Sequence, residues 1–146
     1  MKKIMILSAV LFSFLFVKAQ VREIPQAVKD AFTHQYPKAD DVAYKDQLVK
    51  VNVQFTLDGE NYIASYNNKG AWKGSEKEWA FDKLSDAVKD GFSKSKYADW
   101  DSDGVSVILL PGGTQQYRIL VKKNDFQKKY LFFNTQGRLL REAITI

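Results

Sequence analysis

The residues best suited to bind an ion form the segment 99–104, which reads Asp-Trp-Asp-Ser-Asp-Gly. This order places side-chain oxygens at alternate positions before a glycine, as at the start of a calcium-binding loop. A complete loop of that type ends in a bidentate glutamate at its twelfth position, and Leu110 occupies that position here. Two interpretations stay open: calcium held by Asp99, Asp101 and Asp103, or an acidic, solvated turn between a helix and a strand.

Catalytic groups are scarce in this chain. The single histidine, His34, falls toward the end of a predicted helix, where histidine commonly interacts with the last carbonyl groups. The sequence contains no G-x-S-x-G or H-E-x-x-H pattern, and the absence of cysteine excludes thiolate metal sites, cysteine nucleophiles and disulfides. We therefore expect a protein that is not an enzyme and that needs no cofactor, calcium being the one candidate.

Residues 1–19 have the pattern of a cleavable signal peptide: two lysines, an apolar run over 4–17, and Ala19 before Gln20. The run is shorter than the roughly 20 apolar residues that cross a bilayer, which favours cleavage before Gln20 over a retained membrane anchor. No cysteine follows it, so an N-terminal lipid anchor is excluded. We expect residues 20–146 to be periplasmic or secreted, with no membrane span after cleavage.

Most of the positive charge belongs to that leader. Removing residues 1–19 deletes three lysines and no acidic residue, so the formal net charge falls from +5 to +2. A nucleic-acid-binding protein is expected to keep a basic face, and we therefore exclude nucleic acid as a partner. The remaining chain has the length of one domain that packs its own core.

The chain resembles itself in two places. Residues 27–32 (Ala-Val-Lys-Asp-Ala-Phe) recur at 87–92 (Ala-Val-Lys-Asp-Gly-Phe), and 66–70 (Tyr-Asn-Asn-Lys-Gly) correspond to 133–137 (Phe-Asn-Thr-Gln-Gly). The two matches keep their order along the chain, which chance explains poorly. The sequence therefore predicts two repeats of one unit, at about 22–79 and 80–146.

Each predicted repeat begins with an amphipathic helix and continues with strands. Apolar or small residues recur at helical spacing in the two segments: Ile24, Ala27, Val28, Ala31, Phe32 and Leu84, Ala87, Val88, Gly91, Phe92. Period-two alternation follows, and the hairpin signal Asp58-Gly59 predicts that Phe55 pairs with Tyr62. The predicted fold class is α+β, with two helix-plus-antiparallel-strand repeats that form a sheet backed by helices on one face.

The second repeat differs from the first on the side of the sheet away from the helices. The turn at 135–137 predicts that Phe133 pairs with Leu139 and that Phe132 pairs with Leu140. If the first pair faces the helix, then Tyr130, Phe132 and Leu140 lie on the face that is polar in the first repeat. An apolar patch on a sheet face usually marks an interface. The alternatives are that the repeats bury this face against each other or in a homodimer.

These residues resemble the tandem PepSY-like domains grouped with the β-lactamase inhibitor protein (BLIP) fold, a family seen mainly in exported proteins of Bacteroidetes. The resemblance is carried by 24–32, by Tyr-Pro-Lys-Ala at 36–39, by the turn at 67–70 and by their counterparts in the second repeat. The second repeat departs from the pattern after its helix, where Tyr-Ala-Asp-Trp at 97–100 lacks a proline. The resemblance implies a concave antiparallel sheet that binds proteins or peptides, with no catalytic residues.

The hypothesis from the sequence is an exported, non-catalytic module that binds a protein or peptide, in its sharper form an inhibitor or modulator of an exported hydrolase. The alternative is a cell-envelope protein that binds a small ligand, assisted by calcium. That alternative predicts a deep pocket between sheet and helices, or an ion at the segment 99–104. The sequence leaves the identity of the partner open.

Overall fold

The structure is a computed structural model in which residues 22–145 are described. The predicted signal peptide, residues 1–19, lies outside the described residues, so its assignment stays a prediction. Within 22–145, no helix combines the length and the apolar character needed to cross a bilayer.

The described residues form an antiparallel sheet with two helices on it. The helices are α1 (Gln26–Gln35) and α2 (Asp86–Ser93). The strands are β1 (Asp40–Asp46), β2 (Lys50–Leu57), β3 (Glu60–Asn67), β4 (Trp72–Trp79), β5 (Asp101–Leu110), β6 (Thr114–Asn124), β7 (Gln127–Asn134) and β8 (Leu139–Ile144). The eight strands lie side by side in chain order, with α1 before β1 and α2 between β4 and β5. This is the predicted α+β class, with most of the residues in the sheet.

Both helices cover the same face of the sheet. A row of directly opposite residues runs across seven strands: Phe55, Tyr62, Lys77, Val107, Tyr117, Phe133 and Leu139. Directly opposite residues share a face, so this row belongs to one face throughout. Phe32 of α1 packs edge-on against Phe55 with ring centroids 5.0 Å apart, and Phe92 of α2 is buried in one cluster with Phe133. We call this side the helix-covered face.

Two hairpin turns repeat one hydrogen-bonding arrangement. The side-chain oxygen of Asn67 accepts from two backbone N–H groups of its turn, and that of Asn134 does the same in the later turn. Each turn ends in a glycine of positive φ, +81° at Gly70 and +82° at Gly137. Each glycine lies against the first turn of the helix that begins its half of the chain. Both glycines thus have the left-handed conformation that a three-residue hairpin turn requires at its last position.

The edge strand β8 is held to the segment after α2 by a charged cluster. The buried hydroxyl of Tyr97 donates a hydrogen bond to Glu142, and Nζ of Lys129 lies 2.9 Å from the same carboxylate oxygen. Nζ of Lys96 lies 2.8 Å from the other oxygen. Hydrogen bonds from Lys96, Tyr97 and Lys129 lower the pKa of Glu142 from 4.5 to about 2.

This cluster predicts an acid-sensitive contribution to stability. Because the pKa of Glu142 is lower in the folded than in the unfolded chain, its stabilising effect is present above about pH 4.5 and is lost as the pH falls toward about 2. We expect Glu142→Gln to be less stable than the wild type at neutral pH, with the difference shrinking across that window. Urea unfolding of both proteins at neutral pH, about pH 4.5 and about pH 2.5 measures this difference in the free energy of unfolding. A difference that is the same at all three values would contradict the assignment.

Candidate functional site

The acidic segment 99–104, interpreted from the sequence either as a calcium site or as a solvated turn, is mostly strand. Asp99 lies in the turn before β5, whereas Asp101 and Asp103 belong to the strand itself. Nζ of Lys122 lies 3.0 Å from one oxygen of Asp103, and Nζ of Lys128 lies 3.7 Å from the other. Within 22–145 no group of three His, Asp or Glu side chains could hold a metal ion. The calcium hypothesis stays untested, and the described residues give it no support.

His34, the one candidate for acid–base chemistry, lies exposed in the last turn of α1. That position agrees with the helix-end location predicted for it. It stands on the helix-covered side of the sheet. The larger of the described depressions lie on the opposite side, as shown below.

A β-bulge in the last hairpin changes the predicted surface. Phe133 pairs with Leu139 as predicted, but Phe132 lies opposite Arg141, because the register shifts between these two pairs. Leu140 is the extra residue of the bulge. The predicted pairing of Phe132 with Leu140 was therefore wrong, since a bulge inserts one unpaired residue and re-aims the side chains that follow it.

The exposures of the three predicted surface residues also differ from the expectation. Tyr130 is half-buried and Leu140 is 43% exposed, but only 6% of Phe132 is exposed. The guanidinium of Arg141 lies over the Phe132 ring, with its central carbon 3.4 Å from the ring centroid. The predicted apolar patch is thus an arginine-covered aromatic surface.

The side of the sheet away from the helices, which we call the open face, is defined by a second row of directly opposite residues. That row runs from β4 to β8 through Glu78, Ser106, Arg118, Phe132 and Arg141. Glu78, Ser106, Arg118 and Phe132 each lie next in sequence to a member of the helix-covered row, and Arg141 lies opposite Phe132. Because side chains alternate between the faces of a strand, the second row points away from both helices.

Arg118 lies at the centre of the open face and is held there by polar and aromatic contacts. Its Nη2 donates to Glu76 Oε1 at 3.0 Å and to Ser106 Oγ at 3.2 Å. Its central carbon lies 4.9 Å from the centroid of the Tyr130 ring. These contacts restrict the rotamer of a long side chain and aim it across the face, which lowers the entropy lost on binding.

The open face is hollow around Arg118. Two adjoining depressions of about 520 and 480 Å³ share Ile63, Glu76 and Arg118 in their linings. A third, of about 320 Å³, is lined by Arg118, Leu120 and Tyr130 among others. Arg118 therefore stands where three depressions meet.

The helix-covered face has a smaller depression. It measures about 270 Å³ and is lined by residues that include Tyr62, Lys77 and Trp79. Small-molecule sites usually enclose about 300–1,000 Å³. The small-ligand alternative predicted a deep pocket on this side, and this depression falls slightly below that range.

Sequence reasoning missed Arg118 and Arg141 as members of the site. The available signal was alternation, because Arg118 precedes buried Ile119 in a strand and must point away from the helices. No local signal placed Arg141 over Phe132, since the bulge that brings them together depends on how β7 and β8 pair.

The fold is shared with solved structures of Bacteroides proteins. A DUF2874 family protein from Bacteroides ovatus is 27% identical, with a TM-score of 0.75 over 84% of this chain and 88% of that one. A BLIP-like protein from Bacteroides fragilis is 25% identical, with a TM-score of 0.74 over 85% of this chain and 88% of that one.

A third structure is of a protein provisionally assigned to the periplasm of Bacteroides eggerthii. It is 22% identical, with a TM-score of 0.73 over 84% of this chain and 89% of that one, and at that identity it shows the fold alone. No family model and no curated protein matches the sequence. The chain therefore has a BLIP-like fold, whereas the PepSY-like part of the predicted resemblance is not confirmed.

Proposed function

We propose that this protein is an exported, non-catalytic binding module that holds a protein or peptide against the open face of its sheet. The observation that carries the proposal is the position of Arg118, anchored between Glu76 and Tyr130 where three depressions meet. Arginine and tyrosine are enriched among the residues that dominate binding energy at protein interfaces, and pre-organised side chains lose less entropy on association.

Three further statements belong to this proposal. Export to the periplasm or beyond is supported by the leader pattern of residues 1–19 and by the provisional periplasmic assignment of the Bacteroides eggerthii neighbour. The two halves of the chain are copies of one unit, as the matching turns at Asn67 and Asn134 support. Inhibition or modulation of an exported hydrolase is the sharper form of the function, and the BLIP-like neighbour supports it.

The proposal is tested by changing the floor of the open face without changing its charge. Ile63 and Ile108 are the direct cross-strand neighbours of Glu76 and are half-buried on the open face. Leu109 is the next residue of the same strand, points to the helix-covered side and is 38% exposed. Leu109→Ser is therefore a matched control for the double variant Ile63→Ser/Ile108→Ser.

The experiment is affinity capture with immobilised residues 20–146 as the bait. The bait is incubated with an envelope extract and with a culture supernatant of the host bacterium. We expect a protein that wild type and Leu109→Ser retain and that the folded double variant binds at least about tenfold more weakly, since truncating central contacts costs more than about 1.4 kcal/mol. The retained protein is then assayed for hydrolase activity with and without the bait. Equal retention by the double variant would refute the open face as the binding site. Recovery of only a second copy of the chain would mean that the face closes a homodimer.

A further inference from the structure

We infer that the open face recognises carboxylates, and that its partner presents an extended segment with two acidic side chains to Arg118 and Arg141. The inference rests on the proposed binding function and adds the chemistry of the partner to it.

The guanidinium of Arg141 has no anionic partner among the described residues. It lies over the ring of Phe132, and none of its side-chain nitrogens has a hydrogen-bond or ion-pair partner among residues 22–145. A guanidinium carries five N–H donors in one plane and matches a carboxylate with two parallel hydrogen bonds. The aromatic contact uses a face of the guanidinium and leaves the donors at its edge available.

Arg118 is only partly neutralised. Its Nη2 donates hydrogen bonds to both Glu76 and Ser106, while its Nη1 and Nε have no acceptor within the described part of the chain. Since the carboxylate of Glu76 is bound through a single nitrogen, Arg118 retains donors for a second carboxylate.

Charge is distributed unevenly over the open face. The depression of about 480 Å³ is lined by four cationic side chains, Lys50, Lys73, Arg118 and Arg141, and by one acidic side chain, Glu76. A hollow lined by one sign of charge focuses the electrostatic field and attracts the opposite charge. This excess is larger than the formal charge of +2 carried by residues 20–146 as a whole.

The neighbouring depression sets the orientation of the partner. The hollow of about 520 Å³ is lined by three acidic residues, Asp41, Glu76 and Glu78, and by two cationic ones, Lys77 and Arg118, so it attracts acidic groups less than its neighbour does. A partner with its acids toward Arg118 and Arg141 and neutral or basic groups toward Asp41 and Glu78 would match both hollows. Complementarity of this kind determines register and excludes partners of the wrong polarity.

The spacing of the two arginines indicates a peptide. Arg118 and Arg141 flank Phe132 in one cross-strand row, two strand spacings apart, which is about 10 Å. In a polyproline II segment, which is extended and has three residues per turn, residues i and i+3 lie on the same side of the chain and about 9 Å apart. A segment of this kind that crosses the strands with acids three residues apart would therefore reach both guanidinium groups across Phe132.

The experiment uses an array of immobilised eight-residue peptides with two glutamates two to five residues apart, in varied neutral backgrounds. Identical peptides with glutamine in place of glutamate are the controls. We expect residues 20–146 to prefer the glutamate peptides by about tenfold or more, most at a separation of three, and added salt to weaken that preference. Arg141→Gln should lose most of the preference and Arg141→Lys only part of it. Arg138→Gln, which changes an exposed arginine outside the row, should keep it.

The inference is overturned if no glutamate peptide is preferred over its glutamine control, or if Arg141→Gln binds the array as the wild type does. Partner capture separates this failure from that of the proposed function. If Ile63→Ser/Ile108→Ser loses the captured protein and Arg141→Gln retains it, the proposed binding function is supported and carboxylate recognition is refuted. A captured protein that both variants retain would refute the proposed function itself.

Discussion

Gly137→Ala is expected to lower the free energy of unfolding by about 2–5 kcal/mol, which combines the cost of a left-handed non-glycine residue with that of overpacking. Gly137 has a φ of +82°, and a Cβ at this position would collide with the backbone carbonyl of Ala87 in α2. A backbone carbonyl cannot relieve the collision by changing rotamer as a side chain can. Helix α2 would therefore have to move away from the sheet.

Gly91 lies on the other side of the same contact, and a Cβ there would meet the carbonyl oxygen of Gly137. Replacing glycine by alanine within a helix ordinarily stabilises a protein by about 0.5–1 kcal/mol. Because of this collision, we expect Gly91→Ala to lower the free energy of unfolding instead. Gly104→Ala is the control, because its Cβ would meet no atom within 4 Å, and we expect a change within about 0.5 kcal/mol. Urea unfolding followed by tryptophan fluorescence measures all three. A stabilised Gly91→Ala would show that α2 does not lie this close to the last turn.

Phe132→Ser is expected to destabilise the protein by about 2–4 kcal/mol, near the range for truncating a buried phenylalanine. Phe132 is on the open face, yet only 6% of it is exposed because Arg141 covers its ring. Leu140 in the adjacent bulge is 43% exposed, and Leu140→Ser should change the stability by less than about 1 kcal/mol.

The comparison of these two variants tests the bulge directly. In the simple hairpin register the two side chains would be neighbours on one surface and would respond alike. The observed register separates them, so thermal and urea unfolding should rank them far apart. Equal, small effects would mean that Phe132 is exposed and that Arg141 does not lie over it.

Local patterns in the sequence determined much of the fold. Helical spacing placed Phe32 and Phe92 in the two buried clusters, and Asp58-Gly59 predicted the pairing of Phe55 with Tyr62. These features depend on residues close together in the chain, because a helix face, a strand face and a two-residue turn are each set by their immediate neighbours.

The tertiary structure alone decided the character of the open face. Arg141 covers Phe132 because of a bulge, Arg118 meets Glu76 from 42 residues away, and Asp103 is held by a lysine 19 residues along the chain. The sequence by itself determined the side of the sheet where alternation is unbroken, as at Arg118, but not at Arg141, which follows the bulge in β8. Which charges meet across strands depends on register and on strand order, and only the assembled sheet establishes those.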